Sequence, residues 1–262
     1  MKPVWLASAG VLGPGLPDWS AARELLLGGR RPANGPDPEP VPALLPTNER
    51  RRASAPARWA LTVGSEALAA AGIDAGDVAL VFSTCGGDGM ITHQICEALA
   101  AQPPQMSPTR FHNSVHNAPA GYWSIFARSR APSTTLCGYE CSFAAGLLEA
   151  AAQVVAEQRP VMLVAYDLPY PEPMRALWPV LRPFAAALLL APAPAGNIAA
   201  RLAIELVAGA VERTWPETLP LDLANNPAAQ ALRLLAPAAR GGAGSARLQY
   251  FGASHLAIQV GA

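Results

Sequence analysis

The sequence predicts an α/β fold with a largely parallel central sheet. Continuous apolar runs of strand length, such as "DVALVFST" and "PVMLVAYD", are typical of strands that are buried on both faces. Segments with apolar residues at helical spacing lie between these runs. A chain of 262 residues, 51% of them hydrophobic, can bury a sizeable core. Buried strands that alternate with helices indicate the α/β class.

The predicted elements follow in chain order. The apolar runs predict strands at residues 3–11, 77–84, 133–139, 160–167 and 184–192, a further run at 200–207, and two closing strands around 247–260. Helical patterns cover residues 17–29, 57–71, 90–101, a segment that begins near Asn117, the segment after residue 142, and a stretch near 221–236. Asn117 suits the N-cap position, with Pro119 in the first turn. Residues 30–56 are rich in proline and charge, which predicts a surface excursion.

The composition excludes several classes of function. Nineteen basic residues balance nineteen acidic ones, so no global field recruits nucleic acid or an anionic membrane. The run at 184–196 is too short to span a bilayer, and the N-terminus reads as a buried strand rather than a signal peptide. We therefore expect a cytoplasmic protein. Only 15% of the residues are charged, which fits either a partner that covers apolar surface or simply an alanine- and proline-rich composition.

The cysteines predict neither a metal site nor a cofactor. Four cysteines are present, with no C-x-x-C pair and no matching histidine spacing. Cys85 lies in "STCGGDG", a glycine-rich turn that lacks the lysine of a phosphate-binding loop, so a structural turn is the better interpretation. A hydrolase built from Cys85 with His112 or His116 is not supported, because no segment supplies a convincing set of nucleophile, base and orienting group.

The turn in "TTLCGYECSFAAG", residues 134–146, carries the chemistry of most interest. A strand-to-helix turn directs backbone N–H groups and the positive end of a helix dipole at the side chain placed there. Cys141 would become a good nucleophile in that position, whereas Glu140 would be held as a fixed anion. Alternatively, Glu140 is only a helix-terminal charge, and Cys137 and Cys141 are small buried hydrophobic groups.

The segment "APSTTLCGYECSFAAGLLEAAAQVVAEQRPVMLVAYD" resembles the nucleophile segment of the β-ketoacyl synthases, condensing enzymes of the thiolase fold. That family has a G-P-S run, a strand, and a cysteine at the strand-to-helix turn. The run here is Ala131-Pro132-Ser133, and an ungapped count places Glu140 at the cysteine position, with Cys141 one residue late. The stretches "VWLASAGVLGPG" and "QYFGASHLAIQV" are similar to the family's opening strand and its closing loop and strand.

The resemblance covers residues 1–192 and, more weakly, 245–260. It implies a single thiolase-like domain over 1–262, with a mostly complete first half (1–192) and a strongly shortened second half (193–262). To decarboxylate the extender unit, elongating synthases of the family use two histidines, or a histidine and an asparagine, from the second half. After residue 192 this chain has only His255, and it has no His-Gly-Thr motif. The implied protein lacks ordinary condensing activity.

In lacking the cysteine, the chain resembles the chain-length factors of type II polyketide systems, which pair with an active ketosynthase. The truncation and the stretch "FHNSVHNAPAGYWSI" are most similar to the short subunits of aryl polyene and xanthomonadin pathways. This implies a heterodimer with an active ketosynthase whose acyl tunnel the chain shapes or closes, with an acyl carrier protein as an indirect partner. The alternative is an acyltransferase using Cys141 or a malonyl decarboxylase using Glu140.

The resemblance also implies which residues form the site. No catalytic residue is expected, because Glu140 stands at the nucleophile position. The residues expected at the acyl tunnel or the partner interface are His112, Asn113, His116, Asn117, Tyr122, Trp123, Glu140 and Phe143.

Overall fold

The computed structural model of the chain describes residues 1–30, 36–40, 42, 45–211, 215–241 and 243–261. Within these residues eight strands form one sheet: β1 (Val4–Leu12), β2 (Ala79–Thr84), β3 (Ser133–Cys137), β4 (Val161–Asp167), β5 (Phe184–Ala191), β6 (Ala200–Ala208), β7 (Gly244–Tyr250) and β8 (Ser254–Gly261). The helices are α1 (Trp19–Leu26), α2 (Thr47–Arg52), α3 (Ala55–Ala71), α4 (Gly89–Ala100), α5 (Pro108–Asn113), α6 (Ala118–Ala127), α7 (Ser142–Glu157) and α8 (Ala231–Ala239). Most predicted elements are therefore present.

The sheet is mixed, and the expectation of a largely parallel sheet is wrong. The strand order is β3-β2-β4-β5-β1-β6-β8-β7, and only the β2–β3 and β2–β4 pairs are parallel. Strand β5 runs antiparallel to both β4 and β1, and the strands beyond β1 pair antiparallel in turn. The buried strands are apolar throughout because helices cover both of their faces, and this pattern does not report strand direction.

Two hydrophobic layers sandwich the buried strands β1, β2, β4 and β5. One layer packs α1, α7 and α8 against the sheet, and α7 contributes its stripe of Phe143, Leu147, Ala151 and Val154 at helical spacing. The other layer packs α3 and α6 against the opposite face. Strands β6 to β8 contribute buried residues to the first layer alone, and on β6 the outward-facing Leu206 is 52% exposed.

Three local expectations need correction. The surface excursion at 30–56 contains the short helix α2, while residues 31–35, 41, 43 and 44 lie outside the described part of the chain. The helix expected near 221–236 begins only at Ala231, because Pro227 follows two asparagines and the preceding residues form short 3-10 turns. The loop before Asn117 contains α5. Over the described ranges, no helix combines the length and apolar character needed to cross a membrane.

Candidate functional site

The candidate site lies where three parallel strands end. Because β2, β3 and β4 run in the same direction, their carboxyl ends meet at one edge of the sheet. This edge brings together Cys85, which follows β2, the turn after β3, and Asp167 at the end of β4. In open α/β sheets this edge is the usual location of a binding site.

The turn after β3 is held by the end of β2. The Gly138 N–H donates to the Thr84 carbonyl oxygen (3.3 Å), and the Tyr139 N–H donates to the Cys85 carbonyl oxygen (3.1 Å). Tyr139 has a left-handed backbone conformation (φ 53°), which is uncommon for a residue other than glycine, asparagine or aspartate. A 3-10 turn over Tyr139–Cys141 then leads into α7, so the predicted strand-turn-helix arrangement is confirmed.

A pocket of about 190 Å³ opens beside this turn. Its wall carries Glu140 and Tyr139 from the turn, but Cys141 is not among the described lining residues. Cys85 and Ala144 also line it. The rest of the wall comes from the loop after β4, from the stretch between β6 and β7 that includes α8, and from β7. The residues of these segments that line the pocket are Trp178, Pro179, Val211, Trp215, Ala224, Asn225, Asn226, Pro227, Gln230, Arg233, Leu248 and Gln249.

Asp167 is a buried carboxylate that connects the end of β2 with the segment before α8. It accepts hydrogen bonds from the Cys85 N–H (2.6 Å) and the Thr84 hydroxyl (3.0 Å) through Oδ1, and from the Ala228 N–H (3.1 Å) through Oδ2. Burial raises its pKa to about 7, although these hydrogen bonds lower it. The carboxylate therefore ties the end of β2 to the segment that leads into α8.

The thiol nearest the pocket is poorly suited to nucleophilic chemistry. Cys85 is 5% exposed, and burial, followed by the charge of Asp167, raises its pKa far above the ordinary value. Burial also raises the pKa of Cys137, which is next to it across the β2–β3 pair. Because the thiolate is the reactive form, neither group is activated by its surroundings.

The predicted cluster at 112–123 does not line this pocket in the described part of the chain. His112 lies exposed at the end of α5, and His116 lies exposed in the following turn, so the two histidines do not share one helical face. Asn117 takes the N-cap position of α6, but its side chain makes no capping hydrogen bond. The buried Asn113 donates through Nδ2 to the Arg52 carbonyl oxygen (2.7 Å).

The aromatic residues of the predicted site belong to the core. Tyr122 and Trp123 are almost fully buried, and the Trp123 ring packs where a side chain on Gly64 of α3 would collide with it. Phe143 is fully buried on the opposite face of the sheet. Burial raises the pKa of Tyr122. Of the predicted tunnel or interface residues, Glu140 is the one that lines the pocket.

Sequence reasoning missed most of the pocket wall. Trp178, Trp215, Gln230 and Arg233 come from loops and from α8, and none of them belongs to a recognisable motif. Asp167, at the end of an apolar strand, was also missed. Its position directly after a buried parallel strand was a usable signal, because such residues gather at one edge of the sheet.

The family of the chain follows from its sequence and agrees with this geometry. Residues 19–236 match the model of the β-ketoacyl synthase N-terminal domain. The chain belongs to this family. A search of curated proteins by sequence found no significant match.

Solved ketosynthase structures share the fold of this family member. One match is a chain from the ketosynthase ApeO in complex with its chain length factor ApeC from Xenorhabdus doucetiae, with 25% identity, a TM-score of 0.73, and coverage of 98% of this chain and 99% of that one. A chain from the AntDE:AntF complex, a type II polyketide synthase acyl-carrier protein with its ketosynthase, matches at TM-score 0.79 and 14% identity, with coverage of 100% and 99%. The thiolase-like α/β fold and the likeness to ketosynthases and chain length factors are confirmed.

The match to a longer ketosynthase is partial. A β-ketoacyl synthase from Burkholderia phymatum matches at TM-score 0.62 and 15% identity, and the alignment covers 92% of this chain but 71% of the synthase. The chain therefore has a ketosynthase/chain-length-factor-like fold in a shorter form than that enzyme.

Proposed function

We propose that this chain is a non-condensing, chain-length-factor-like subunit that heterodimerises with an active ketosynthase and shapes or closes its acyl tunnel during polyene or related fatty-acid-like synthesis. The observation that carries the proposal is the position of Glu140. It occupies the strand-to-helix turn beside the pocket, at the position where the resemblance to condensing enzymes calls for a cysteine. An acyl carrier protein would meet the complex through the active subunit.

The chemistry of the pocket supports a non-condensing role. A carboxylate at position 140 cannot form the acyl thioester, and it would repel the malonyl carboxylate and a developing enolate. Cys85 lines the pocket with a pKa raised by burial and by Asp167. Cys141 adjoins Glu140 but is not among the described lining residues. No thiol in this wall has the low pKa that a condensing enzyme needs.

The size of the pocket supports a role in closing the acyl tunnel rather than in holding the acyl chain. Its volume of about 190 Å³ is below the roughly 300–1,000 Å³ that is typical of sites for drug-sized ligands. The pocket alone therefore offers little room for a long acyl chain, and the indoles of Trp178 and Trp215 form part of its wall. A subunit with this wall would end a tunnel rather than extend it.

One edge of the sheet supports the proposed pairing with a partner. Strand β3 is the terminal strand, pairs only with β2 among the described strands, and has partly exposed residues along its length. Helix α6 packs beside it and exposes Ile125 (46%), and Tyr139, two residues after the strand, is 45% exposed. A free strand edge next to exposed apolar side chains is suited to pairing with another chain.

Co-expression with the cognate ketosynthase tests the heterodimer. The expected result is a stable complex of the two chains. Ile125→Glu, which places a charge on the proposed interface, should weaken the complex at least about tenfold, because burying an unpaired charge costs more than about 1.4 kcal/mol. The matched control is Leu206→Glu on β6, whose exposed side chain lies several strands away from β3. A well-behaved chain that never co-purifies with the ketosynthase would reject the heterodimer.

The alternative is an enzyme in its own right, and the position of Glu140 in the pocket keeps it in consideration. Intact-protein mass spectrometry after incubation with acyl or malonyl carrier protein separates the possibilities. For a non-condensing subunit we expect no acyl adduct on Cys141 and a rate of malonyl decarboxylation that is unchanged in Glu140→Gln. An adduct on Cys141, or decarboxylation that is lost in this variant, would favour independent catalysis.

A further inference from the structure

Arg233 is a cation in the pocket wall without a carboxylate partner in the described part of the chain. It lies on α8 and is partly buried, and burial lowers its pKa. Its Nη1 donates to Gln230 Oε1 at 3.3 Å, and no ion pair to a described acidic residue involves it. Among the described residues, the charge of this pocket-lining residue therefore has one long hydrogen bond to a neutral side chain.

This arrangement leaves most of the binding capacity of the guanidinium unused. A guanidinium has five N–H donors in a planar fork, and it remains protonated in proteins even when it is partly buried. Removing such a group from water without a counter-ion costs free energy, and a bidentate carboxylate ligand would recover part of this cost. The geometry that best satisfies the donors is a planar anion of the carboxylate type.

The remaining wall limits the body of the ligand. Trp178 is stacked on Tyr170 (5.4 Å between ring centroids), and the Trp215 indole N–H donates to the Pro220 carbonyl oxygen (3.2 Å), so both indoles have fixed positions. With Leu248, these rings make much of the wall apolar. The cavity of about 190 Å³ is slightly larger than the cavity of about 150 Å³ that holds benzene in an engineered protein. A single ring therefore fits.

We propose that this pocket binds a small organic carboxylate with a body of about one aromatic ring, and that the Arg233 guanidinium holds its carboxylate group. This inference goes beyond the partner-subunit function, because binding requires no ketosynthase. The ligand carboxylate lies at Arg233, and its apolar body packs against the indoles of Trp178 and Trp215.

Titration of the purified full chain with benzoate tests the site, with calorimetry and tryptophan fluorescence as readouts. Benzamide has the same shape without the charge, and inorganic phosphate has the charge without the ring. Benzoate should bind about ten- to a hundredfold more tightly than benzamide, since hydrogen bonds to charged groups contribute about 1.5–3 kcal/mol. Phosphate should bind more weakly than benzoate. Equal binding of benzoate and benzamide, tighter binding of phosphate, or no binding of benzoate would overturn the proposal.

Variants test whether benzoate binds at Arg233 in this pocket. Arg233→Gln should reduce benzoate affinity at least about tenfold and leave benzamide unchanged, and Arg233→Lys should lose less. Arg240→Gln, at the exposed end of the same helix, is the matched control and should bind benzoate like the natural chain. Unchanged benzoate affinity in Arg233→Gln would refute the assignment, whether or not the chain pairs with a ketosynthase.

Discussion

Replacement of the buried carboxylate Asp167 by asparagine should remove a pH-dependent part of the protein's stability. Asp167 is 2% exposed, and its pKa is raised by burial from 3.8 to about 7. A carboxyl group with a raised pKa binds more protons in the folded state than in the unfolded state. Its contribution to stability is therefore complete below about pH 4 and is lost as the pH rises through about 7.

The magnitude follows from the two pKa values. A group with a pKa of 3.8 in the unfolded chain and about 7 in the folded chain loses about 2.5 kcal/mol of stabilisation between pH 5 and pH 8. This is a large fraction of the ~5–15 kcal/mol that stabilises a typical domain. Asparagine does not titrate, so the loss contributed by this position should vanish in Asp167→Asn.

Urea unfolding followed by circular dichroism at pH 5, 6, 7 and 8 measures the effect. The natural chain should lose more stability over this range than Asp167→Asn, by about 2.5 kcal/mol. Glu66 also makes the free energy of unfolding fall with pH in both proteins, because burial raises its pKa to about 7. The comparison of the two proteins cancels this contribution. Parallel pH profiles for the natural chain and Asp167→Asn would refute the reasoning.

Two further predictions concern the residues beside the pocket. Gly89→Ala should lower the free energy of unfolding by about 1–3 kcal/mol, because its methyl group would collide with the Tyr170 ring, whereas Gly121→Ala in the open part of α6 should be neutral or stabilising in thermal melts. Equal melting temperatures for the two variants would contradict this packing. In native protein at pH 8, iodoacetamide should modify the exposed Cys96 and spare Cys85, as peptide mass spectrometry would show. Labelling of Cys85 as fast as Cys96 would mean that its thiol is not buried as described.

The local pattern of the sequence determined most elements and the turn at Glu140. Apolar runs of strand length predicted the buried strands, and apolar residues at helical spacing predicted α3 and α7, because these patterns reflect which faces are removed from water. The position of Glu140 after β3 followed from the register of the preceding Pro-Ser and the following helix. These properties depend on neighbours along the chain.

Tertiary structure alone decided the direction of the strands and the composition of the pocket. Strand β5 is apolar on both faces whichever way it runs, so its antiparallel pairing with β4 and β1 left no mark on its sequence. Arg233 lies more than ninety residues after Glu140. The two lie in one wall because the segment that leads into α8 packs against the carboxyl end of β4, where the Ala228 N–H donates to Asp167. The sequence alone, through its resemblance to condensing enzymes, therefore predicted that Glu140 stands at the nucleophile position. The fold showed that Arg233 lines the same pocket, because burial and proximity are properties of packed elements rather than of local sequence.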